Sequence, residues 1–252
     1  MTDRLAALET SLAAVRARIA AACAAAHRDP AEITLVAVTK TFPVSDIMLL
    51  GQLGVTDIGE NKDQEAAPKA AACAAAGLAV RWHFVGQLQV NKAASVAGYA
   101  DLVHSVDRLR LAEALGRRAR AAGRVIGCLV QVSLDDPGQP DGHGSAGRDG
   151  AGRDGAGRGG AEPGQVAELA GAIAAQEGLR LAGVMGIAPL GKPARPAYAR
   201  LRTIAETVRS AYPAAQVISA GMTADMDEAI AEGATLVRIG TALLGGRPPL
   251  LR

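Results

Sequence analysis

Aromatic residues and lysines are scarce in this chain. Phe, Trp and Tyr make up only 2% of its 252 residues, whereas 49% are hydrophobic. Alanine, valine and leucine must therefore fill the core, and a chain of this length can bury a large one. Lysine occurs only five times, so each lysine can be judged by its own surroundings.

Other absences exclude whole classes of protein. The cysteines Cys23, Cys73 and Cys128 are odd in number and have no metal-ligand spacing, which argues against a disulfide framework or a metal site. The net charge of +2, with both signs interspersed, offers no surface for nucleic acid. No hydrophobic run is long enough to span a membrane, and charged residues interrupt the apolar N-terminal pattern, unlike a signal peptide. We expect a soluble, cytoplasmic protein without membrane or nucleic-acid partners.

Helix-like and strand-like segments alternate along the chain. Residues 3–26 carry apolar side chains at spacings of three and four, which predicts a helix packed on its own domain. The predicted strands are 33–39, 55–58, 80–85, 102–106, 125–132, 181–187, 217–219 and 236–239. The predicted helices between them are 44–53, 62–76, 91–97, 108–122, 165–176, 195–211 and 224–232.

Eight βα repeats indicate an α/β protein with a single (β/α)₈ TIM-type barrel over residues 1–252. The extra N-terminal helix can take the place of the missing helix after the last strand. An open doubly wound sheet is the main alternative, although no GxGxxG follows the first strand. The glycine-, aspartate- and arginine-rich segment at about 138–164 has little to bury, so we predict a disordered loop insertion there.

Lys40 ends the first predicted strand, after a run of largely apolar residues. Partial desolvation of an amine disfavours its charged form and lowers its pKa, and a free amine is what a Schiff base with a carbonyl compound requires. A lysine that caps a strand and reaches into solvent is the simpler interpretation of this residue alone.

Two loops that follow the last strands are suited to an anion. In a barrel of this type, phosphate is often bound after strands seven and eight. Ser219, Gly221, Met222 and Thr223 belong to the first loop, with Thr223 as a predicted N-cap, and Gly240-Thr241 forms the second. Ordinary turn and cap chemistry explains either loop alone.

Three further polar positions lie near the predicted mouth of the barrel. Arg238 is a charge within an apolar strand, for which a structural ion pair and a ligand role are equally supported. Glu60-Asn61 follows the second strand, and His83 lies within the third, where a hydrogen-bonded core histidine is the favoured interpretation. A lysine, an anion-binding pair of loops and an arginine share one explanation: a phosphorylated aldehyde such as pyridoxal 5′-phosphate, bound as an imine.

The residues also resemble a known family, the YggS/PROSC-type pyridoxal phosphate homeostasis proteins. The resemblance covers about residues 30–247, apart from the glycine-rich insertion. Its motifs are AVTK (37–40), GEN (59–61), WHFVGQLQVNK (82–92), SAGMTADMDEAI (219–230) and VRIGT (237–241). That family looks like the barrel domain of alanine racemase, a fold-type III pyridoxal phosphate protein, without its β-rich second domain.

The resemblance implies a role for each matched position. Lys40 would form the Schiff base, Arg238 would face the pyridine nitrogen, and Asn61 and His83 would lie near the cofactor. The residues implied in phosphate binding are Ser219, Gly221, Met222, Thr223, Gly240 and Thr241, with threonine at 223 where serine is usual.

Three functions remain open: a non-catalytic carrier that supplies pyridoxal phosphate to apoenzymes, an amino-acid racemase, and a Schiff-base aldolase acting on a phosphorylated sugar. Racemisation needs an acid–base group on each face of the cofactor. None of Tyr99, Tyr198 and Tyr212 is placed to supply the second group, and the chain ends eleven residues after Thr241. We therefore expect no catalytic residues, no second domain and a monomeric carrier.

Overall fold

The computed structural model describes residues 2–135 and 159–246. Their strands form a closed parallel barrel in which each strand pairs with its neighbours in sequence and β8 pairs with β1. The strands are β1 (Thr34–Val38), β2 (Asp57–Glu60), β3 (Arg81–Phe84), β4 (Leu102–Val106), β5 (Ile126–Val132), β6 (Leu179–Gly186), β7 (Val217–Ser219) and β8 (Leu236–Ile239). The predicted (β/α)₈ barrel is confirmed.

Helix α1 precedes the first strand, and one helix follows each of the eight strands. They are α1 (Thr2–Ala25), α2 (Val44–Gln52), α3 (Asp63–Ala75), α4 (Ala93–Tyr99), α5 (Leu109–Ala121), α6 (Val166–Ala174), α7 (Ala194–Ala211), α8 (Met226–Ala231) and α9 (Thr241–Leu244). Just past α2 and α3, Gly54 and Gly77 adopt φ values of 77° and 72°. That left-handed conformation suits glycine and stops a helix, which is why the predicted ends of these two helices are close to the observed ones.

The N-terminal helix α1 packs on the barrel through its apolar stripe. Leu8, Leu12, Val15 and Ile19 are all buried, and α1 contacts α8 and α9. The sequence predicts no helix after the last strand, but the structure has α9 there. Because α9 has only four residues, α1 supplies much of the cover that a full-length eighth helix would give.

Side chains alternate between the inside and the outside of the barrel, as they must along a strand. Inside, Val36 of β1 packs with Leu102, Leu129 and Leu236. Its neighbour Ala37 lies outside, in the cluster that packs beneath the surrounding helices. This alternation fixes which polar side chains can face the mouth of the barrel.

Strand β2 lies two residues further along the chain than predicted. It begins at Asp57, whose carboxylate accepts a hydrogen bond of 2.7 Å from Arg81 at the start of β3. This pairing between neighbouring strands leaves no trace in the apolar pattern. As a result Glu60 is the last residue of β2 rather than a loop residue after it.

The structure describes the last part of the segment that the sequence predicts to be disordered. Residues 136–158 lie outside the described residues, whereas 159–164 follow a defined path. The Ala161 N–H donates to the Gln131 carbonyl at 2.8 Å, and the Ala161 carbonyl accepts from the Ser133 N–H at 2.9 Å. Residues Pro163–Gln165 then form a 3₁₀ turn. The prediction of disorder was wrong for 159–164, because backbone hydrogen bonds to β5 do not depend on side-chain composition.

Candidate functional site

Lys40 lies two residues past the carboxyl end of β1. The preceding residue, Thr39, points outward: its hydroxyl donates to Glu60 Oε1 at 2.6 Å. Strand β1 ends at Val38, so Lys40 lies in the turn that follows it. The half-buried Lys40 is therefore near the carboxyl end of β1, and its role as the Schiff-base lysine stays a prediction.

Arg238 is buried inside the barrel, with 5% of its surface exposed. Its Nη1 donates to the carbonyl and the hydroxyl of Ser219 at 2.9 and 2.5 Å, and its Nη2 donates to the Gly186 carbonyl at 3.1 Å. It thus ties together the carboxyl ends of β6, β7 and β8. Burial lowers the pKa of the Arg238 guanidinium, which nevertheless stays charged because arginine does not deprotonate in proteins.

The closure of the barrel joins Lys40 to the second predicted anion loop. In the pairing of β1 with β8, Val36 lies opposite Arg238 and Ala37 lies opposite Ile239. Gly240 follows directly, and a Cβ atom added to it would lie 3.4 Å from the Val38 carbonyl oxygen. The Gly240-Thr241 turn therefore adjoins the end of the strand that leads to Lys40, and Thr241 is exposed.

The loop after β7 is held by a carboxylate. Asp225 accepts the Met222 N–H at 2.7 Å and the Tyr198 hydroxyl at 2.7 Å. Gly221 has a φ of 88°, and a Cβ atom there would come within 2.7 Å of the Ala229 Cβ, so only glycine fits. The predicted N-cap at Thr223 is wrong, because α8 begins at Met226 with Asp225 as its N-cap.

Ser219 and His83 lie in the barrel interior and are already hydrogen-bonded. The Ser219 hydroxyl lies between Arg238 Nη1 at 2.5 Å and His104 Nδ1 at 2.9 Å. The ring of His83 has Nδ1 3.0 Å from His104 Nε2 and Nε2 2.8 Å from Asp57 Oδ1. Both ring nitrogens are engaged, as expected of a core histidine, so a direct contact of His83 with a ligand would require one of these bonds to break.

Burial sets the charges of this interior row. It lowers the pKa of His104 well below its usual value, and the neighbouring His83 and Arg238 act in the same direction. Burial alone would raise the pKa of Asp57, but hydrogen bonds from His83 and Arg81 outweigh it and lower that pKa. His104 is therefore neutral and Asp57 ionised at neutral pH.

Asn61 lies half-buried just after β2. Its backbone runs against Gly86, where an added Cβ atom would lie 2.1 Å from the Asn61 carbonyl oxygen. The glycine of the WHFVG motif therefore permits the ends of β2 and β3 to approach. The structure thus places Asn61 on the same rim of the barrel as Lys40.

Glu60 does not join this set, because its side chain faces α3. Its Oε1 accepts from Lys69 Nζ at 2.7 Å as well as from Thr39. Its Oε2 is buried without a hydrogen-bond partner among the described residues. Burial raises the pKa of the Glu60 carboxyl more than the bonds from Lys69 and Thr39 lower it.

Sequence reasoning missed Asp57, Lys69 and His104. For His104 a signal was present: it is the central residue of the otherwise largely apolar strand LVHSV, at an inward position. Across residues 2–135 and 159–246, no group of three or more His, Cys, Asp or Glu side chains is arranged to hold a metal ion. In the same ranges no helix combines the length and the apolar character needed to cross a membrane.

This chain is similar in sequence to proteins of one known family. Residues 153–248 match the family model of the alanine racemase N-terminal domain. The pyridoxal phosphate homeostasis protein of Mycobacterium bovis is 42% identical over 97% of this chain and 95% of its own length. The chain belongs to the pyridoxal phosphate homeostasis protein family. Another member, from Escherichia coli K12, is 36% identical over 94% of this chain and 95% of its own.

Solved structures agree with this family assignment. PipY of Synechococcus elongatus, whose structure has pyridoxal phosphate bound, superposes with a TM-score of 0.75 at 30% identity. The match covers 94% of this chain and all of PipY. Alanine racemase from Streptomyces coelicolor shares the fold, with a TM-score of 0.68 at 20% identity over 95% of this chain and 58% of the racemase.

Proposed function

We propose that this family member binds pyridoxal 5′-phosphate as a Schiff base on Lys40 and serves intracellular pyridoxal phosphate homeostasis without catalytic turnover. The observation that carries the proposal is the seam between β1 and β8. It brings the backbone of β1 that leads to Lys40 beside the buried Arg238 and the Gly240-Thr241 turn, near one end of the barrel. The family name of its relatives and the cofactor bound to PipY support the same ligand.

The residues present fit this cofactor in charge. Arg238 is a buried cation whose hydrogen bonds go to Ser219 and the Gly186 carbonyl, and the ion pairs found among the described residues do not include it. An unpaired buried charge is costly, so an electron-rich ligand beside the guanidinium would be stabilised. When bound, pyridoxal phosphate supplies an aldehyde that condenses with an amine and a ring that withdraws electrons.

Each site residue then has a task of its own. Lys40 would provide the amine, and Arg238 would lie beside the pyridine nitrogen, which a neighbouring cation would keep unprotonated. The phosphate would be bound by the turn after β8 and by the loop after β7, where Gly221, Met222 and Thr223 follow Ser219. In the latter loop the phosphate would have to replace Asp225 as the acceptor of the Met222 N–H.

The described tyrosines support a carrier rather than a racemase. Tyr99 packs edge-on against Trp82, with ring centroids 6.3 Å apart, in the shell outside the barrel. Tyr198 is a buried residue of α7 whose hydroxyl donates to Asp225, and Tyr212 packs against the cluster of buried residues that includes Tyr198. Tyr99 and Tyr212 lie outside the barrel and the Tyr198 hydroxyl is engaged by Asp225, which supports the absence of a tyrosine as the second acid–base group.

We propose that PLP-dependent apoenzymes receive the cofactor and that the protein is monomeric and cytoplasmic.

The test is the visible absorption spectrum with pyridoxal phosphate, for the wild type and for Lys40→Ala. We expect a yellow Schiff-base band in the wild type and none in the variant. Lys62→Ala is the matched control, because Lys62 is an exposed lysine near the same end of the barrel, and it should keep the band. Racemase assays on the yellow protein then separate carrier from enzyme. A band that persists in Lys40→Ala, or no band in the wild type, would overturn the proposal.

A further inference from the structure

The row of polar side chains inside the barrel connects its two ends. Asp57 is the first residue of β2, and Arg238 and Ser219 lie at the far ends of β8 and β7, with His83 and His104 between them. Each successive pair is separated by 2.5 to 3.0 Å. Four hydrogen bonds therefore link five buried residues without interruption.

The two ends of this row differ in what they can do. An ionised carboxylate such as Asp57 only accepts hydrogen bonds, and the guanidinium of Arg238 only donates them. Each of the three side chains between them can both donate and accept: a neutral imidazole has one N–H and one bare nitrogen, and serine has one O–H and an oxygen that can accept twice.

With both imidazoles neutral, these limits leave a single arrangement of hydrogens. His83 must donate from Nε2 to Asp57, which leaves its Nδ1 to accept from His104 Nε2. The bare Nδ1 of His104 then accepts the Ser219 hydroxyl hydrogen. Ser219 in turn accepts from Arg238. Every hydrogen bond points from Arg238 towards Asp57.

We propose that Asp57, acting through His83 and His104, is a positioning residue for the cofactor site. Because of Asp57, the Ser219 hydroxyl donates its hydrogen to His104, and the Ser219 oxygen accepts a hydrogen bond from Arg238. The effect on the cofactor rests on the proposed function, whereas the direction of the row is a property of the protein without cofactor. Ser219 would then hold Arg238 in place instead of donating its hydroxyl hydrogen to the phosphate.

One added proton would reverse part of the row. A protonated His83 would donate from Nδ1 to His104, and His104 would then donate from Nδ1 to Ser219. Ser219 would accept from both sides, and its own hydrogen would be released for a ligand. The groups that face His83 are the Asp57 carboxylate with its partner Arg81, and His104, with Arg238 beyond it. Asp57 and Arg81 line a cavity of about 530 Å³ at the amino ends of β1 to β3, through which solvent can reach this end.

The direction can be measured by long-range ¹H–¹⁵N NMR of the cofactor-free protein labelled at its four histidines. We expect the Nε2–H tautomer at both His83 and His104. The variants His83→Gln and His104→Gln assign the signals, because each removes one of them. An Nδ1–H tautomer at either ring would overturn the proposal. Neither outcome depends on whether pyridoxal phosphate binds.

Two substitutions separate positioning from packing. The amide of His104→Gln keeps one donor and one acceptor and should retain the position and pH profile of the cofactor band. His104→Leu removes both and leaves Ser219 free to turn, so we expect pyridoxal phosphate to bind about tenfold more weakly. The pH profile of the band should also shift. If both folded variants had the same spectrum and the same affinity for pyridoxal phosphate, the positioning role would be overturned. If the wild type showed no Schiff-base band with pyridoxal phosphate, the proposed function would be overturned instead.

Discussion

Lys69 places its ammonium group 2.7 Å from Glu60 Oε1, between the outside of the barrel and α3. The same ammonium donates to the Thr39 carbonyl at 2.9 Å. Thr39 is the residue before Lys40, so this buried pair holds the backbone that carries the proposed Schiff-base lysine. A lysine on the outside of the barrel thus helps to fix the backbone next to the proposed Schiff-base lysine.

Removing the Lys69 ammonium should destabilise the protein strongly. In Lys69→Met the Glu60 carboxylate stays buried without its cation, a change that typically costs about 3–5 kcal/mol. Chemical denaturation measures this as a lower free energy of unfolding. The control Lys62→Met alters the exposed lysine that precedes α3 and should change the free energy of unfolding by less than about 0.5 kcal/mol. Equal stabilities of the two variants would show that the pair contributes nothing.

Glu60 should make stability fall as the pH rises. Burial raises its pKa in the folded protein above the ordinary value of 4.5. An acid of this kind favours folding fully below its unfolded pKa, and that contribution is lost as the pH rises through the folded pKa. The free energy of unfolding of the wild type, relative to Glu60→Gln, should therefore decrease from acidic to neutral pH. A difference that increases with pH would contradict the assignment.

Two glycine substitutions should have opposite effects. In Gly86→Ala the new Cβ atom would meet the Asn61 backbone at 2.1 Å, so the ends of β2 and β3 must separate, at a cost of about 1–3 kcal/mol. In Gly98→Ala the new atom meets nothing within 4 Å, and alanine in a helix is favoured by about 0.5–1 kcal/mol. Thermal unfolding compares the two. Gly86→Ala should also weaken cofactor binding if Asn61 lies beside the cofactor.

Arg238→Ala should weaken pyridoxal phosphate binding by at least about tenfold, because hydrogen bonds to charged groups contribute about 1.5–3 kcal/mol. The absorption band should also shift, since the ring nitrogen would lose its neighbouring cation. Titration followed by absorbance measures both effects, and circular dichroism checks the fold. Arg117→Ala, which alters an exposed arginine of α5, is the control. A folded Arg238→Ala that binds and absorbs like the wild type would place the guanidinium away from the ring.

The sequence predicts the barrel and the mouth residues because both follow from local patterns. Alternating apolar segments reveal the strands, and Lys40, Arg238 and the two glycine-containing loops each lie beside a strand end. Contacts between side chains of different strands do not follow from such local patterns. Whether His104 meets Ser219 depends on which strands face each other across the barrel interior, and one strand's own sequence does not encode that relation.

The same limit explains the role of Glu60. Because Glu60 precedes Asn61 in the sequence, it is predicted to lie with Asn61 on the rim of the barrel. In the structure Glu60 is the last residue of β2 and its side chain faces outward. A shift of one position along a strand reverses the side that a residue faces. The start of β2 is set by the bond between Asp57 and Arg81, which is a tertiary contact. Sequence patterns therefore identify the polar residues of the rim more reliably than the side each one faces.

The seam at which Val36 lies opposite Arg238 has a consequence for biosynthesis. Lys40 leaves the ribosome early, whereas Arg238 and the Gly240-Thr241 turn emerge only after nearly all of the chain has been made. The parallel pairing of the first and last strands also requires the slow closure of a very long loop. A nascent or truncated chain thus carries Lys40 without the Gly240-Thr241 turn beside it. Under the proposed function, such a chain lacks part of the cofactor site.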